Sequence, residues 1–249
     1  LIAVEGPIAL LGDAHLRDGD PQVEAFIAFL DTLPRDIALL GIVGDLFSVW
    51  VGRPEMVRPH HERVVAALRR AASRGVRLLY VEGNHDFFLR PLYTPDPFEA
   101  FDEKAIDLRV GARRVHLAHG DLVNRHDRHY RAWRAVSKSR PGFALFNLIP
   151  RRRRTALVDR LERSMAGTNL AFKAGFPMAE ALAEARPRFR DGCDTIVFGH
   201  FHEERRIEVQ EQEHRGLVYV LPAWRDGHRY LRVAPDGDPV FVSASVSAS

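Results

Sequence analysis

Apolar residues in this chain fall into short unbroken runs, each ending abruptly at glycine and a compact polar side chain. Ile8-Ala9-Leu10-Leu11 ends at Gly12-Asp13-Ala14-His15 and the run from Ile37 to Val43 at Gly44-Asp45. Val76 to Val81 runs into Glu82-Gly83-Asn84-His85-Asp86, and Thr195 to Phe198 into Gly199-His200-Phe201-His202. Such runs predict strands buried on both faces. Between them the period changes to that of a helix. Val23, Phe26, Ile27 and Leu30 line one face of a segment closed by Pro34, and Val64, Val65, Leu68 and Ala72 line another closed by Gly75. Alternating strands and helices predict an α/β sheet, whose ligand sites lie at the carboxyl ends of the strands. Ile106 to Val110 and Arg113 to Ala118 flank Gly111-Ala112 and predict a hairpin running into His119-Gly120-Asp121, while Pro91 to Pro97 predicts a loop.

The texture changes after residue 122. Asp127 to Val136, Thr155 to Met165 and Met178 to Phe189 have helical spacing, and Phe143, Leu145, Phe146, Leu148 and Ile149 form an apolar cluster before four consecutive arginines. Residues 123–190 therefore read as a helical insertion over a core made of 1–122 and 191–242. Four short antiparallel strands are expected within 207–242, and 243–249 reads as a disordered tail.

A chain of 249 residues with 46% hydrophobic and 28% charged residues is an ordinary globular protein. Its net charge of +3 is unevenly spread. Arg131 to Lys173 contains eleven Lys and Arg against two Asp and Glu, so the rest of the chain is acidic. A basic segment suits phosphate, nucleic acid or an anionic membrane surface, and an acidic remainder suits cations. The lone Cys193 excludes an internal disulfide and a cysteine-based zinc site and is expected to be buried and inert, in an intracellular setting. No apolar run reaches the roughly 20 residues that span a bilayer.

The polar strand ends carry the chemistry. Asp13 and His15 are two residues apart, as are His200 and His202, so in extended backbone each pair points to one side. Asp45, Asn84 and His119 close three further strand-like runs beside glycines. Seven oxygen and nitrogen donors without thiolate suit Mn²⁺, Fe²⁺ or Zn²⁺. They are too many for one site and fit two ions about 3.5 to 4 Å apart sharing a carboxylate, for which Asp45 is the choice, an arrangement that activates water for phosphoryl displacement. Any one such residue alone more commonly satisfies a turn or cap. His60, His61, His116, His126, His129, His214 and His228 lie outside these blocks, where structural or surface roles are expected.

Asp13-Ala14-His15, Gly44-Asp45, Gly83-Asn84-His85-Asp86, His119-Gly120-Asp121 and Gly199-His200-Phe201-His202 together resemble the five blocks of the calcineurin-like metallophosphoesterases. The resemblance implies a four-layer αββα sandwich of two mixed sheets, with two divalent metals, most readily Mn²⁺, at the strand ends. It implies that Asp13, His15, Asp45 and His202 hold one metal and Asp45, Asn84, His119 and His200 the other. It also implies His85 as proton donor or transition-state stabiliser, oriented by Asp86. The family's second block often carries a further acidic residue where this chain has Ser48.

A narrower resemblance, carried by Gly44 to Trp50, by Tyr130, Ala132, Trp133 and Arg134 after the His-Gly-Asp block, and by Ala223-Trp224, is to the UDP-2,3-diacylglucosamine hydrolase branch. It implies cleavage of a lipid-linked UDP-sugar pyrophosphate in lipid A synthesis, a helical lid at the insertion, and substrate contacts from Asn84, His85, Tyr130, Asn169 and Lys173. It further implies a peripheral position on the cytoplasmic membrane face of a Gram-negative bacterium. Phe143, Phe146, Leu148 and Ile149 would meet acyl chains or headgroups and Arg151 to Arg154 anionic lipid, or else the apolar residues pack inside the lid and the arginines are solvated. His85 departs from that branch, whose better-known members have Arg there, and matches the wider family. A nuclease or general phosphodiesterase, and a non-catalytic scaffold, are the alternatives, with no stable nucleic-acid complex expected under the leading reading.

Overall fold

The computed structural model describes residues 1–171 and 175–245, with the side chains of 165–171 excepted. In chain order the elements are β1 (Ile2–Val4), β2 (Ile8–Leu11), α1 (Pro21–Asp31), β3 (Leu39–Val43), β4 (Trp50–Val51), α2 (Pro59–Ser73) and β5 (Arg77–Val81). There follow β6 (Asp86–Phe87), α3 (Arg90–Tyr93), β7 (Ala100–Asp102), β8 (Ala105–Val110) and β9 (Arg113–Ala118). The insertion supplies α4 (Arg128–Ser137), α5 (Arg140–Leu148), α6 (Arg151–Ala171) and α7 (Met178–Arg190). The chain closes with β10 (Thr195–Phe198), β11 (Arg205–Glu211), β12 (His214–Val220), β13 (Arg229–Val233) and β14 (Val240–Ser243).

The strands form two six-stranded mixed sheets, ordered β14-β13-β2-β3-β5-β7 and β1-β8-β9-β10-β12-β11. Alternation along β2 shows why they stack. Ile8 and Leu10 face the second sheet, meeting Leu117, Val197 and Leu217 in a buried cluster. Ala9 and Leu11 face the other way, into a core with Phe26, Phe29, Leu30, Val64 and Leu68 of α1 and α2. On the outer side of the second sheet Ala181, Ala185 and Phe189 of α7 cover Ile196, Phe198 and Val218. Helix, sheet, sheet and helix thus form the four expected layers, and β2, β3, β5, β9 and β10 deliver their polar ends to one rim.

Several boundaries differ from expectation for local reasons. The apolar cluster around Phe143 is helix α5, because Ser139 caps it by accepting from the Gly142 N–H at 2.9 Å and Pro141 occupies its first turn. One helical turn, α3, interrupts the expected 91–97 loop. Residues 243–245 are held rather than disordered: Ser243 ends β14, the Ala244 N–H donates to the His228 carbonyl at 2.8 Å, and Thr32 Oγ1 donates to the Ser245 carbonyl at 3.2 Å. The remainder of the expected tail, 246–249, lies outside the described residues.

Helices α5 and α6 rest on the core along one seam. Phe88 stacks on Phe143 with centroids 4.0 Å apart, and Val158 joins Val49, Val51, Met56 and Phe87 in a buried cluster. Arg58 binds Asp159 and Glu162 of α6, and Arg154, buried within the four-arginine run, reaches Glu55 at 2.8 Å. The outer side of the insertion is different. Leu145 and Leu148 are 66% and 80% exposed, and Arg151, Arg152 and Arg153 are exposed beside them. The apolar cluster is therefore split, with Phe143 and Phe146 turned inward and the two leucines outward.

Candidate metal centre

Five donors sit on residues with left-handed backbone: Asp13 (φ 53°), His15 (46°), Asp45 (55°), His200 (69°) and His202 (53°). This conformation, uncommon without glycine, folds each strand end back so that its side chain points into the rim. Two glycines allow the loops to meet. A Cβ on Gly44 would stand 2.4 Å from Nδ1 of His119, and one on Gly83 2.1 Å from Oδ1 of Asp45. Neither position accepts a side chain without moving the other loop.

The donors converge around the fully buried Asp45. Its Oδ2 lies 3.5 Å from Nε2 of His119, 3.8 Å from Nε2 of His85 and 3.9 Å from Nε2 of His15. On one side, Nε2 of His202 is 3.3 Å from Oδ1 of Asp13 and 3.2 Å from Nε2 of His15. On the other, Oδ1 of Asn84 lies 3.0 Å from Nε2 of His119 and 2.9 Å from Nδ1 of His200. Asp13–His15–His202, His15–Asp45–His85 and Asp13–Asp45–His119 each present three donor atoms within 4.8 Å of one another. Oδ2 of Asp45 faces His15 on one side and His119 on the other, the position a shared carboxylate would take.

The electrostatics suit divalent cations. Burial disfavours both carboxylate anions, yet the imidazole of His202 holds Asp13 below the usual range, and His85 and His119 hold Asp45 well below it. Burial and neighbouring imidazoles push His15 down to about 3 and His200 down to about 4, leaving neutral ring nitrogens of the kind that ligate metal. His119 opposes its own burial through Asp45 and rises to about 10. Its Nδ1 donates to the Val43 carbonyl at 2.9 Å, so Nε2 is the nitrogen facing the cluster. Among the described residues the buried Oδ1 of Asp13 makes no hydrogen bond and has only the 3.3 Å approach of His202 Nε2 to offset its burial. A buried carboxylate oxygen so weakly satisfied among imidazoles is costly without a cation, and the donor set fits two such ions.

His85 is oriented differently from expectation. Its Nδ1 donates to the Ser48 carbonyl at 2.5 Å, whereas the hydrogen bonds of the Asp86 carboxylate go to other groups. Oδ2 of Asp86 instead accepts from the Asp45 N–H (3.0 Å), the Gly83 N–H (2.7 Å) and the Tyr80 hydroxyl (2.8 Å). Asp86 therefore holds the backbone that carries Asp45, and a backbone oxygen orients His85. The ribbon between β4 and β6 makes this possible, because the Trp50 N–H donates to the His85 carbonyl at 2.9 Å and zips the two loops together. Ser48, where an acidic residue was absent, donates from Oγ to the His15 carbonyl at 3.0 Å and accepts from Arg17 at 2.7 Å. No side-chain signal marks a backbone acceptor, so sequence reasoning had no access to it.

The expected substrate contacts are less gathered. Tyr130 donates its hydroxyl to Asp121, which also binds Arg134, so the phenol is engaged inside the protein. Asn169 falls on α6 with its side chain undescribed, and Lys173 lies outside the described residues. Of the other histidines, His60 and His61 pack on Phe47, and His116 bonds Asp107 at 2.8 Å. Cys193 is buried, with its thiol pushed up to about 11 by burial.

A family model described as calcineurin-like phosphoesterase matches residues 6–204. The chain is 31% identical over 241 residues to a UDP-2,3-diacylglucosamine hydrolase of Ralstonia nicotianae, covering 93% of this chain and 88% of that one. It is 27% identical over 233 residues to the enzyme of that name from Chromohalobacter salexigens, covering 92% and 94%, and 27% over 231 residues to that of Klebsiella pneumoniae, covering 91% and 94%.

Proposed function

This chain belongs to the calcineurin-like phosphoesterases, and from that premise we propose that it hydrolyses the pyrophosphate of UDP-2,3-diacylglucosamine, releasing UMP and 2,3-diacylglucosamine 1-phosphate. The observation that carries the reading is the gathering of six oxygen and nitrogen donors around a seventh, Asp45, in a chain similar over nine-tenths of its length to hydrolases of that name. Asp13, His15, Asp45 and His202 would hold one divalent ion and Asp45, Asn84, His119 and His200 the other, a set without thiolate that suits Mn²⁺, Fe²⁺ or Zn²⁺, of which the family resemblance favours Mn²⁺. When bound, such a pair supplies an activated water and neutralises charge developing on phosphorus. The protein's own part is positional. Ser48 fixes Nδ1 of His85 as a donor, so the proton that His85 exchanges is carried on Nε2, beside the cluster, where it reaches a leaving oxygen.

The substrate reading also fits the insertion. Leu145, Leu148 and the exposed Arg151 to Arg153 form an apolar and basic outer side suited to acyl chains and anionic headgroups. That exposed side supports peripheral attachment, with the insertion ahead of α7 as a lid; among the described residues no helix is long and apolar enough to cross a membrane. His85, the residue of the wider family, favours as second reading a phosphodiesterase acting on another nucleotide. Phosphorus NMR of products from UDP-2,3-diacylglucosamine with Mn²⁺, run beside a simple phosphodiester, separates the two. UMP with 2,3-diacylglucosamine 1-phosphate is the expected outcome, and turnover of the diester alone overturns the substrate assignment.

A further inference from the structure

Helix α4 turns a polar stripe toward the core. Tyr130, Arg134 and Lys138 are spaced four residues apart and so share one face, and all three are engaged within the protein. Tyr130 and Arg134 both bind Asp121, two residues after His119, and Arg134 also donates to the Glu103 carbonyl at 3.0 Å. Lys138, the residue that caps α4, has a side chain only 7% exposed. Its ammonium donates to the Gly83 carbonyl at 2.5 Å and to Oε2 of Glu82 at 3.2 Å. The other oxygen of Glu82 accepts from the Leu89 N–H at 3.1 Å, so this one carboxylate bridges the lysine and the far end of the Gly-Asn-His loop. A buried ammonium without partners would be costly, and this one is spent on the peptide immediately before Asn84.

We propose that α4 is a positioning clamp and Lys138 its principal positioning residue. Lys138 fixes the Gly83 peptide and hence the direction of the Asn84 carboxamide toward His119 and His200. Arg134 fixes Asp121 and hence the turn carrying His119. The insertion thereby orients the Asn84, His119 and His200 group, and leaves Asp13, His15 and His202 to the core loops. This rests on reading Asn84 and His119 as metal ligands.

The test uses the full chain, the Lys138→Met and Lys138→Arg variants, calorimetric titration with Mn²⁺ alone, amide exchange in metal-free protein, and turnover of bis(p-nitrophenyl) phosphate. Lys138→Met is expected to weaken one of two Mn²⁺ sites about tenfold while sparing the other, the scale on which groups behind the ligands act. It is also expected to speed exchange at the Leu89 amide and to lower kcat about tenfold with KM unchanged, and Lys138→Arg, which keeps a charged donor, recovers most of both. If Lys138→Met does not fold, Glu82→Gln with Lys138→Met leaves no buried charge without its counter-ion and is measured instead. Two Mn²⁺ sites of unchanged affinity in the variant overturn the clamp alone. Fewer than two Mn²⁺ in the unaltered protein overturns the ligand reading beneath it.

Discussion

The imidazole of His85 is held by the backbone carbonyl of Ser48, 2.5 Å from its Nδ1. A carbonyl only accepts, so Nδ1 is the donor in this contact, and Nε2, 3.8 Å from Asp45, is the nitrogen turned toward the cluster. Replacing His85 by Gln is expected to lower kcat by about 10²- to 10³-fold, the scale of a lost general acid. Metal analysis of the same variant is expected to return two ions per chain, since His85 is not among the seven donors.

Asp86 has a different part, and Asp86→Asn exposes it. An amide oxygen is a weaker acceptor than the single carboxylate oxygen that takes three buried donors, so unfolding in denaturant is expected to show a loss of about 2 kcal/mol. The pH profile of kcat keeps its shape, because the partner of His85 is untouched. A displaced profile would make Asp86 the orienting group after all.

Asp45→Ala removes the one carboxylate that faces His15, His85 and His119 together. Turnover is expected to fall below detection and bound metal to drop below one ion per chain, as read by elemental analysis. Full activity in this variant is incompatible with a shared carboxylate at position 45.

His61 offers a pH effect remote from the rim. Burial, with the nearby His60 and Arg58, pushes its pKa down from 6.5 to about 2. The unfolded chain protonates this histidine near 6.5 and the folded chain does not, so the associated stability is complete above that pH and is lost as pH falls toward 2. At pH 5 the loss is about 2 kcal/mol. His61→Gln is expected to flatten the decline in unfolding free energy between pH 7 and 5 by about that amount.

Leu145 and Leu148 are among the large apolar side chains left most exposed. Replacing both by Glu is expected to reduce sedimentation with anionic vesicles by at least about tenfold, since burying each leucine contributes about 1.5 to 3 kcal/mol. Turnover of a small water-soluble diester is expected to stay unchanged. Equal vesicle binding by the variant would assign membrane contact to another surface.

The donors were legible in the sequence because each is a side chain of unusual type at the end of an apolar run. Asp13, His15, Asp45, Asn84, His119, His200 and His202 announce themselves, and the fold brings these side chains to one rim. What supports them is not legible in the same way. The Ser48 oxygen is backbone, and β4 and β6 are two residues each, too short for any period to register. Lys138 and Gly83 are separated by 55 residues in the chain, so their contact exists only once α4 has docked. Helix α5 was hidden by Pro141 and Gly142, which lower helix propensity in general but suit a first turn in particular.

Left-handed backbone at Asp13, His15, Asp45, His200 and His202 sets stability against function at five positions. Glycine adopts that conformation without the steric cost of a Cβ, so a library screened for heat resistance alone should drift toward glycine there and lose its metals on the way. Engineering a robust form of this protein therefore calls for selection under turnover, or for gains placed far from the rim.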